Sequence, residues 1–150
     1  MTIQIPTSLK LEHEQFNSEL ARAMKFQGRT AVAAVAVAQL MHPHFVKEEE
    51  YVLPPLSLLP ELAKGQITPE MKPVTAMTNR LKVQLQAMRN EHRAIISALK
   101  DLADAAEKEG HPELVDFAQR LMEHAQMEEQ ITYPAAILVG EFIKLKLAKV

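Results

Sequence analysis

The sequence predicts an all-α fold, an antiparallel up-down-up-down bundle of four helices. Residues that favour helices dominate the 150-residue chain, which has only four glycines. Apolar residues recur at steps of three and four in four separate segments. Two short turns and one long, proline-rich connector join these segments, which is the order of connections expected of an antiparallel bundle.

The first helix is predicted to begin after Pro6, where Thr7 or Ser8 can serve as N-cap. It is predicted to end near Gly28, because glycine commonly follows the last turn of a helix. The helical spacing of its apolar stripe defines an inner face, formed by Leu9, His13, Phe16, Leu20 and Met24.

The second helix is predicted to run from Thr30, as N-cap, to about Leu53. Pro43 lies inside it and is expected to kink or interrupt the helix, because proline removes one backbone hydrogen bond. Pro54 then ends the helix. Residues 56–73 form the connector between the two halves of the chain.

The third helix is predicted over Val74–Lys108, with Gly110 closing it. The fourth begins around Pro112, since proline is favoured at the first helical position. Pro134 is expected to bend it, and residues 135–149 are expected to continue as helix. The inner face of the third helix is predicted to consist of Leu81, Leu85, Met88, His92, Ile95, Leu99 and Leu102. The inner face of the fourth is predicted to consist of Leu114, Phe117, Leu121, His124, Glu128 and Ile131.

Composition excludes several classes of protein. The net charge of −2, without basic clusters, gives no argument for a nucleic acid or an acidic membrane as partner. The absence of cysteine excludes disulfides, thiolate-bound zinc and a cysteine nucleophile. The longest apolar stretch, Ala31–Ala38, is too short to span a bilayer, and the N-terminus has no secretory signal. We therefore expect one soluble, cytoplasmic domain over residues 1–150.

One pattern of candidate metal ligands occurs twice. The first copy consists of Glu12-His13, His44-x-x-x-Glu48-Glu49 and Pro54, and the second of Glu91-His92, His124-x-x-x-Glu128-Glu129 and Pro134. The offset between copies is 79 at the first histidine and 80 at the second histidine, the glutamates that follow it and the proline. This registration indicates a duplicated helical hairpin, residues 7–54 and 74–134, whose halves face each other across a shared ion site.

The four histidines of the repeat occupy inner positions of the helical stripes. Glu48 and Glu128 each follow a histidine by four residues, one turn along the same face. Burial of six such groups without partners would cost several kcal/mol each, against a total stability of about 5–15 kcal/mol. A pair of divalent ions would satisfy them. Imidazole and carboxylate suit iron, manganese or zinc, and the lack of thiolate argues against copper(I).

These residues resemble those of hemerythrin-like proteins of the HHE cation-binding type. The matching segments are Glu12-His13, His44 to Glu49 leading to Leu53-Pro54, Glu91-His92, and His124 to Glu129 leading to Tyr133-Pro134. The resemblance implies two iron ions in an oxygen-bridged centre inside the bundle. It implies that the histidines of the first copy, His13 and His44, bind one iron and those of the second, His92 and His124, bind the other. Glu48 and Glu128 would bridge the two ions.

The chain departs from the oxygen-carrying hemerythrins at two places. Those proteins have two histidines four residues apart on the third helix, whereas Met88 and Ile96 stand at these distances from His92. Their last carboxylate is an aspartate five residues after its histidine. Here Glu129 holds that position, but Glu128 is preferred as the bridge because it lies on the inner stripe. One fewer histidine leaves positions open for sensing or for redox chemistry with oxygen, peroxide or nitric oxide.

Several residues around the expected ligands have two interpretations each. Tyr51 either fills the core or donates its hydroxyl to a bridging carboxylate or a bound oxygen species. Glu12, Glu49, Glu91 and Glu129 are either solvated or accept the free ring N–H of a ligating histidine.

Three functions are compatible with the sequence. The first is a dinuclear metal protein that binds or senses O2, NO or peroxide, or handles iron. The second is a di-iron redox enzyme, although no glutamate has a histidine three residues later, as ferritin-class oxidases require. The third is a metal-free structural or regulatory bundle. A homodimer through Ala31–Ala38 and an unidentified signalling protein are the expected macromolecular partners.

Overall fold

The computed structural model describes residues 3–148, and this range contains helices and connections but no strand. Its helices are α1 (Thr7–Ala23), α2 (Arg29–Lys47), α3 (Leu59–Ala63), α4 (Val74–Glu109), α5 (Pro112–Met127) and α6 (Tyr133–Leu147). The short α3 lies in the connector, and α6 continues the direction of the chain after α5. The predicted all-α four-helix bundle is confirmed. Lys149, the expected last residue of the fourth helix, lies outside the described residues.

Two π-helical turns interrupt the bundle at equivalent places in the two copies. They span Glu48–Val52 after α2 and Glu128–Thr132 after α5. In the first turn the backbone N–H of Leu53 donates to the carbonyl of Glu48 at 2.8 Å, five residues back. The trailing prolines of the repeat follow each turn by two residues and cannot donate the next backbone bond, which favours a wider turn before them.

The expected interruption of the second helix at Pro43 is wrong. Helix α2 continues through Pro43 to Lys47 without a break. A proline removes a single backbone bond, and Met41, His44 and Phe45 on either side of it are buried in the bundle. This burial holds the helix together where the isolated sequence would favour a kink.

The turn between α1 and α2 also differs from the prediction. Helix α1 ends at Ala23, before Gly28, and Thr30 lies within α2 instead of capping it. Gly28 precedes α2 with φ of 80°, a left-handed conformation that favours glycine. The cap comes from Glu109, whose carboxylate accepts the N–H of Arg29 at 3.1 Å and of Thr30 at 2.8 Å, and also the Thr30 hydroxyl.

Loss of the Glu109 charge is expected to weaken this cap in a pH-dependent way. Hydrogen bonds from the hydroxyl and N–H of Thr30 and the N–H of Arg29 hold the pKa of Glu109 below its ordinary value. The stability that the charged Glu109 cap contributes is therefore present above the unfolded-state pKa of about 4.3, and it is lost as pH falls through the lower native pKa. We expect Glu109→Gln to be less stable than the wild type in urea at pH 7. The difference in unfolding free energy between the two proteins should disappear as pH falls from about 5 to about 3. A difference that does not change with pH would contradict the role of Glu109 as the cap of α2.

Two apolar clusters enclose the middle of the bundle. One lies towards the turn between α1 and α2, and the other lies around the π turns and the connector. The first includes Phe16, Met41, Phe45, Ile95, Leu99, Phe117 and Leu121, and the second includes Tyr51, Val52, Leu53, Leu81, Met88 and Tyr133. The polar residues of the repeat lie between them, shielded from water at both ends.

Helix α2 carries the alanine- and valine-rich stretch at Ala31–Ala38. Ala34 and Val37 are fully buried in the bundle, whereas Val32 is 72 % exposed. A homodimer through this stretch stays a prediction.

The helices of residues 3–148 include no membrane-spanning segment. Each helix in this range is either too short or too polar to cross a bilayer.

Candidate metal centre

Six imidazole and carboxylate groups from α1, α2, α4, α5 and the π turns converge in the middle of the bundle. Each is at most 8 % exposed. They are His13, His44, Glu48, His92, His124 and Glu128. Their donor atoms form two clusters, in each of which all donors lie within 4.8 Å of one another. The first cluster has four donor residues and the second has three, with Glu128 in both.

Both glutamates lie between two histidines. Glu48 Oε1 is 3.2 Å from His13 Nε2, and Glu48 Oε2 is 3.5 Å from His44 Nε2. The same arrangement recurs at Glu128, whose Oε1 is 3.2 Å from His92 Nε2 and whose Oε2 is 3.2 Å from His124 Nε2. Each carboxylate therefore offers one oxygen to each of two neighbouring positions, which is the geometry of a bridging ligand.

The donor clusters group the histidines differently from the distribution that the resemblance implies, and that distribution stays a prediction. His44 lies with His92 in one cluster, with ring centroids 4.6 Å apart, and His13 lies with His124 in the other, at 6.3 Å. Each cluster thus takes one histidine from each copy of the repeat. The helices that carry these histidines contact each other, α2 with α4 and α1 with both α2 and α5.

Carboxylates outside the centre stand beside the Nδ1 atoms of three of the four rings. Glu91 is hydrogen-bonded to His44 at 2.7 Å and Glu129 to His92 at 2.9 Å. Glu12 Oε1 lies 2.9 Å from His124 Nδ1 but without the geometry of a hydrogen bond. A carboxylate on Nδ1 fixes the orientation of the ring and leaves Nε2 free to bind an ion. The Glu129 carboxylate thus contacts His92 from outside the donor clusters, whereas the Glu128 carboxylate belongs to both clusters.

His13 is the exception among the four histidines. Its Nδ1 is buried without a hydrogen-bond partner. Glu49, which corresponds in the repeat to Glu129, forms no side-chain hydrogen bond or salt bridge within the described part of the chain. The ring of His13 is held instead by stacking on Phe45, with centroids 3.8 Å apart and an interplanar angle of 5°.

The tyrosine at the centre is Tyr133, which the sequence did not single out. Its hydroxyl donates to Glu48 Oε2 at 2.6 Å and lies 3.2 Å from His44 Nε2 and 3.0 Å from His92 Nε2. The hydroxyl of Tyr51 reaches only Met88 Sδ, at 3.7 Å, so Tyr51 fills the core and does not contact a bridging carboxylate.

The second π turn explains why Tyr133 was missed. On a regular α-helix, residue 133 would lie about 140° around the axis from residue 128, away from the inner face. The wider turn at Glu128–Thr132 rotates it back towards the centre. The usable signal in the sequence was Pro134, which favours a widened turn directly before it.

The two central carboxyl groups have pKa values shifted in opposite directions. Burial raises the pKa of Glu48, but the neighbouring Glu128, His13 and His44 outweigh burial and hold this pKa well below its ordinary value. Burial and the nearby Glu48 carboxylate raise the pKa of Glu128 well above its ordinary value. Opposite shifts are expected for two carboxyl groups close together in a low dielectric.

The centre fits metal ions because it contains polar atoms that protein groups do not satisfy. Glu48 Oε1 and His124 Nε2 are buried without a hydrogen-bond partner among the described residues, although His13 and Glu128 stand 3.2 Å from them. A cation between such atoms satisfies both at once. Imidazole nitrogen and carboxylate oxygen are donors that suit iron, manganese and zinc.

Replacement of Tyr133 by phenylalanine is expected to destabilise the metal-free protein by about 1–3 kcal/mol, because the buried Glu48 carboxylate loses its 2.6 Å donor. The measurement is urea unfolding in the presence of a chelator. Tyr51→Phe is the matched control and should cost less than about 1 kcal/mol, since its hydroxyl has only a sulfur partner. Equal losses in the two variants would contradict the central position of Tyr133.

A four-helix bundle with six buried imidazole and carboxylate donors defines a cation-binding helical protein. The sequence model of one family, the hemerythrin HHE cation binding domain, matches residues 4–136. The chain belongs to this family, which confirms the resemblance seen in its sequence. The matched range contains all six donors and Tyr133. Comparisons with curated proteins and with solved structures gave no match.

Proposed function

We propose that the chain binds two iron ions in the centre of the bundle and that this centre binds or senses O2, NO or peroxide. The observation that supports the proposal most is the position of Glu48 and Glu128, each between two histidine nitrogens. Iron is proposed over zinc because a sensor or redox centre for these ligands needs a redox-active ion, and zinc has no redox chemistry. Manganese is redox-active and suits the same donors, so metal analysis decides between it and iron.

The two proposed ion positions have different numbers of protein donors around them. His44 and His92 would hold one ion, and Tyr133 supplies a further oxygen beside them. His13 and His124 would hold the other, where fewer protein donors stand. An ion with few protein donors keeps coordination positions for water or an external ligand. We therefore propose the position of His13 and His124 as the place where a small ligand binds.

The proposal is tested by loading the metal-free chain with ferrous iron under anaerobic conditions. Elemental analysis is expected to give about two ions per chain. The absorption spectrum is then recorded on admission of air, NO or hydrogen peroxide, and at least one of them should change it. Binding of iron without any spectral response would overturn the sensing role, and exclusive binding of zinc or manganese would overturn the choice of metal.

A di-iron redox enzyme is the second candidate. The observation that favours it is Tyr133, an oxidisable side chain that lies in hydrogen-bond contact with three of the proposed ligands. Oxygen consumption that depends on an added substrate would support turnover. A ligand that binds stoichiometrically without turnover would instead support a sensor, which would pass its signal to a protein or domain outside the bundle.

A further inference from the structure

Helix α6 is apolar on two faces. Its inner face packs into the bundle through Ala136, Val139, Gly140 and Ile143, all of which are buried. Its outer face continues a stripe from the second π turn, in which Ile131, Leu138 and Leu145 are 62 %, 66 % and 57 % exposed. The prediction that Ile131 faces inward is therefore wrong, because the π turn rotates it away from the bundle. A helix that is apolar all round is normally covered on all sides. Among the described residues, nothing covers this outer stripe.

The outer stripe forms one wall of an apolar groove of about 630 Å³. The opposite wall is α3, where Leu59 is 44 % exposed. Leu138, Phe142 and Leu145 line the α6 side, and Glu141 is the one charged residue in the lining among the described residues. A groove of this character is suited to an apolar surface of another molecule.

The spacing of the stripe identifies the shape of that surface. Its residues are separated by steps of four, three, four and three, in the order Ile131, Ala135, Leu138, Phe142 and Leu145. This average of about 3.5 residues is the repeat of a two-stranded coiled-coil seam. Ala135 and Phe142 take the a positions, and Leu138 and Leu145 take the d positions, where leucine is typical of two-stranded coiled coils.

The charges beside the stripe identify the partner. Glu141 lies on one edge of the seam, at a g position, where its Oε1 accepts from Lys82 at 3.0 Å and Lys144 at 3.2 Å and its Oε2 has no ion-pair partner among the described residues. Lys146 lies on the other edge, at the following e position, with its Nζ over the ring of Phe142 in the seam. In a parallel pair of helices a g residue faces the e residue five positions further along the partner, so Glu141 of each copy would face Lys146 of the other. In an antiparallel pair g faces g, and these opposite charges would not meet.

We propose that this face of α6 is the interface with a second copy of the chain, with the two α6 helices packed in parallel about a two-fold axis. The same surface serves both protomers, as an isologous dimer requires. The exposed side of α2 is less suited to this role. Asp101, Asp104 and Lys108 line the groove beside it, and α2 itself contributes Arg29, Val32 and two alanines there.

The first test is the mass of the full chain in solution, by sedimentation equilibrium with and without chelator. The wild type is expected to have the mass of two 16.8 kDa chains. Leu138→Glu should raise the dissociation constant of the dimer on the order of 100-fold or more, because two charges enter an apolar seam. Val83→Glu is the matched control, since Val83 is 81 % exposed on α4 outside the seam, and it should leave the dimer intact.

The second test addresses the parallel arrangement. Lys146→Glu places like charges opposite each other and should weaken the dimer. The double variant Glu141→Lys with Lys146→Glu restores opposite charges and should strengthen it again, with helicity checked by circular dichroism. A wild type that is monomeric, a dimer insensitive to Leu138→Glu, or a dimer disrupted by Val32→Glu on α2 would each overturn the proposal. Absence of rescue in the double variant would overturn the parallel packing.

Discussion

Replacement of Glu48 by glutamine is expected to abolish most of the thermal stabilisation that bound metal gives the wild-type chain. A ligand present at a thousand times its Kd stabilises by about 4 kcal/mol, which corresponds to a shift in Tm of about 10 °C for a chain of this size. Glu48 belongs to the first donor cluster and its Oε1 also lies 3.2 Å from His13 of the second, so its loss is expected to weaken metal binding at the centre. The measurement is a melt of metal-loaded protein against protein in chelator, with elemental analysis of both.

The glutamine variant separates loss of metal from loss of folding. Its side chain has nearly the same shape and still accepts from the Tyr133 hydroxyl, so the metal-free variant should melt within a few degrees of the metal-free wild type. Removal of a buried charge from a carboxyl pair can even be stabilising. Glu50→Gln is the control, because Glu50 is exposed and its carboxylate pairs with Arg80, which lies outside the donor clusters. A wild type whose Tm does not respond to chelator would support the metal-free bundle instead.

Substitution of Gly140 by alanine is expected to destabilise the protein by about 3 kcal/mol, which lowers Tm by about 6–12 °C. A Cβ atom at this position would lie 1.7 Å from Thr78 Oγ1 and 2.6 Å from Thr78 Cβ. Alanine gains about 1 kcal/mol over glycine in helix propensity. The overlap outweighs this gain because Thr78 Cβ is attached directly to the backbone of α4 and cannot turn away.

A double-variant cycle serves as the control for this contact. Thr78→Gly alone should cost about 1 kcal/mol or somewhat more, through lost helix propensity and packing. Combined with Gly140→Ala it should recover most of the lost stability, because the colliding atoms are gone. Additive losses in the double variant would show that α6 does not approach α4 at these two residues.

The helical period alone indicates which side chains form the site. His13, His44, His92 and His124 fall on the apolar stripes at spacings of three and four, and Glu48 lies one turn beyond His44. This information is local, because 3.6 residues per turn fixes which side chains share a face. The structure accordingly brings the six residues together in the buried middle of the bundle.

The sequence did not reveal features that depend on neighbouring helices. Continuation of α2 through Pro43, the cap supplied to α2 by Glu109 and the exchange of histidines between the two clusters all arise from contacts between residues far apart in the chain. The position of the Tyr133 side chain at the centre depends on a widened turn, which changes the side of the helix on which every later residue lies.

The sequence by itself thus determined the class of fold, the identity of the six inward-facing donors and the duplicated hairpin pattern. Only the tertiary structure decided which donors lie in one cluster, which carboxylates contact the imidazoles and which tyrosine reaches the centre. The physical reason is the distance along the chain over which each kind of interaction acts. Periodicity, caps and prolines act within a turn or two of helix, whereas the partner of a side chain depends on which helices pack together and in what register.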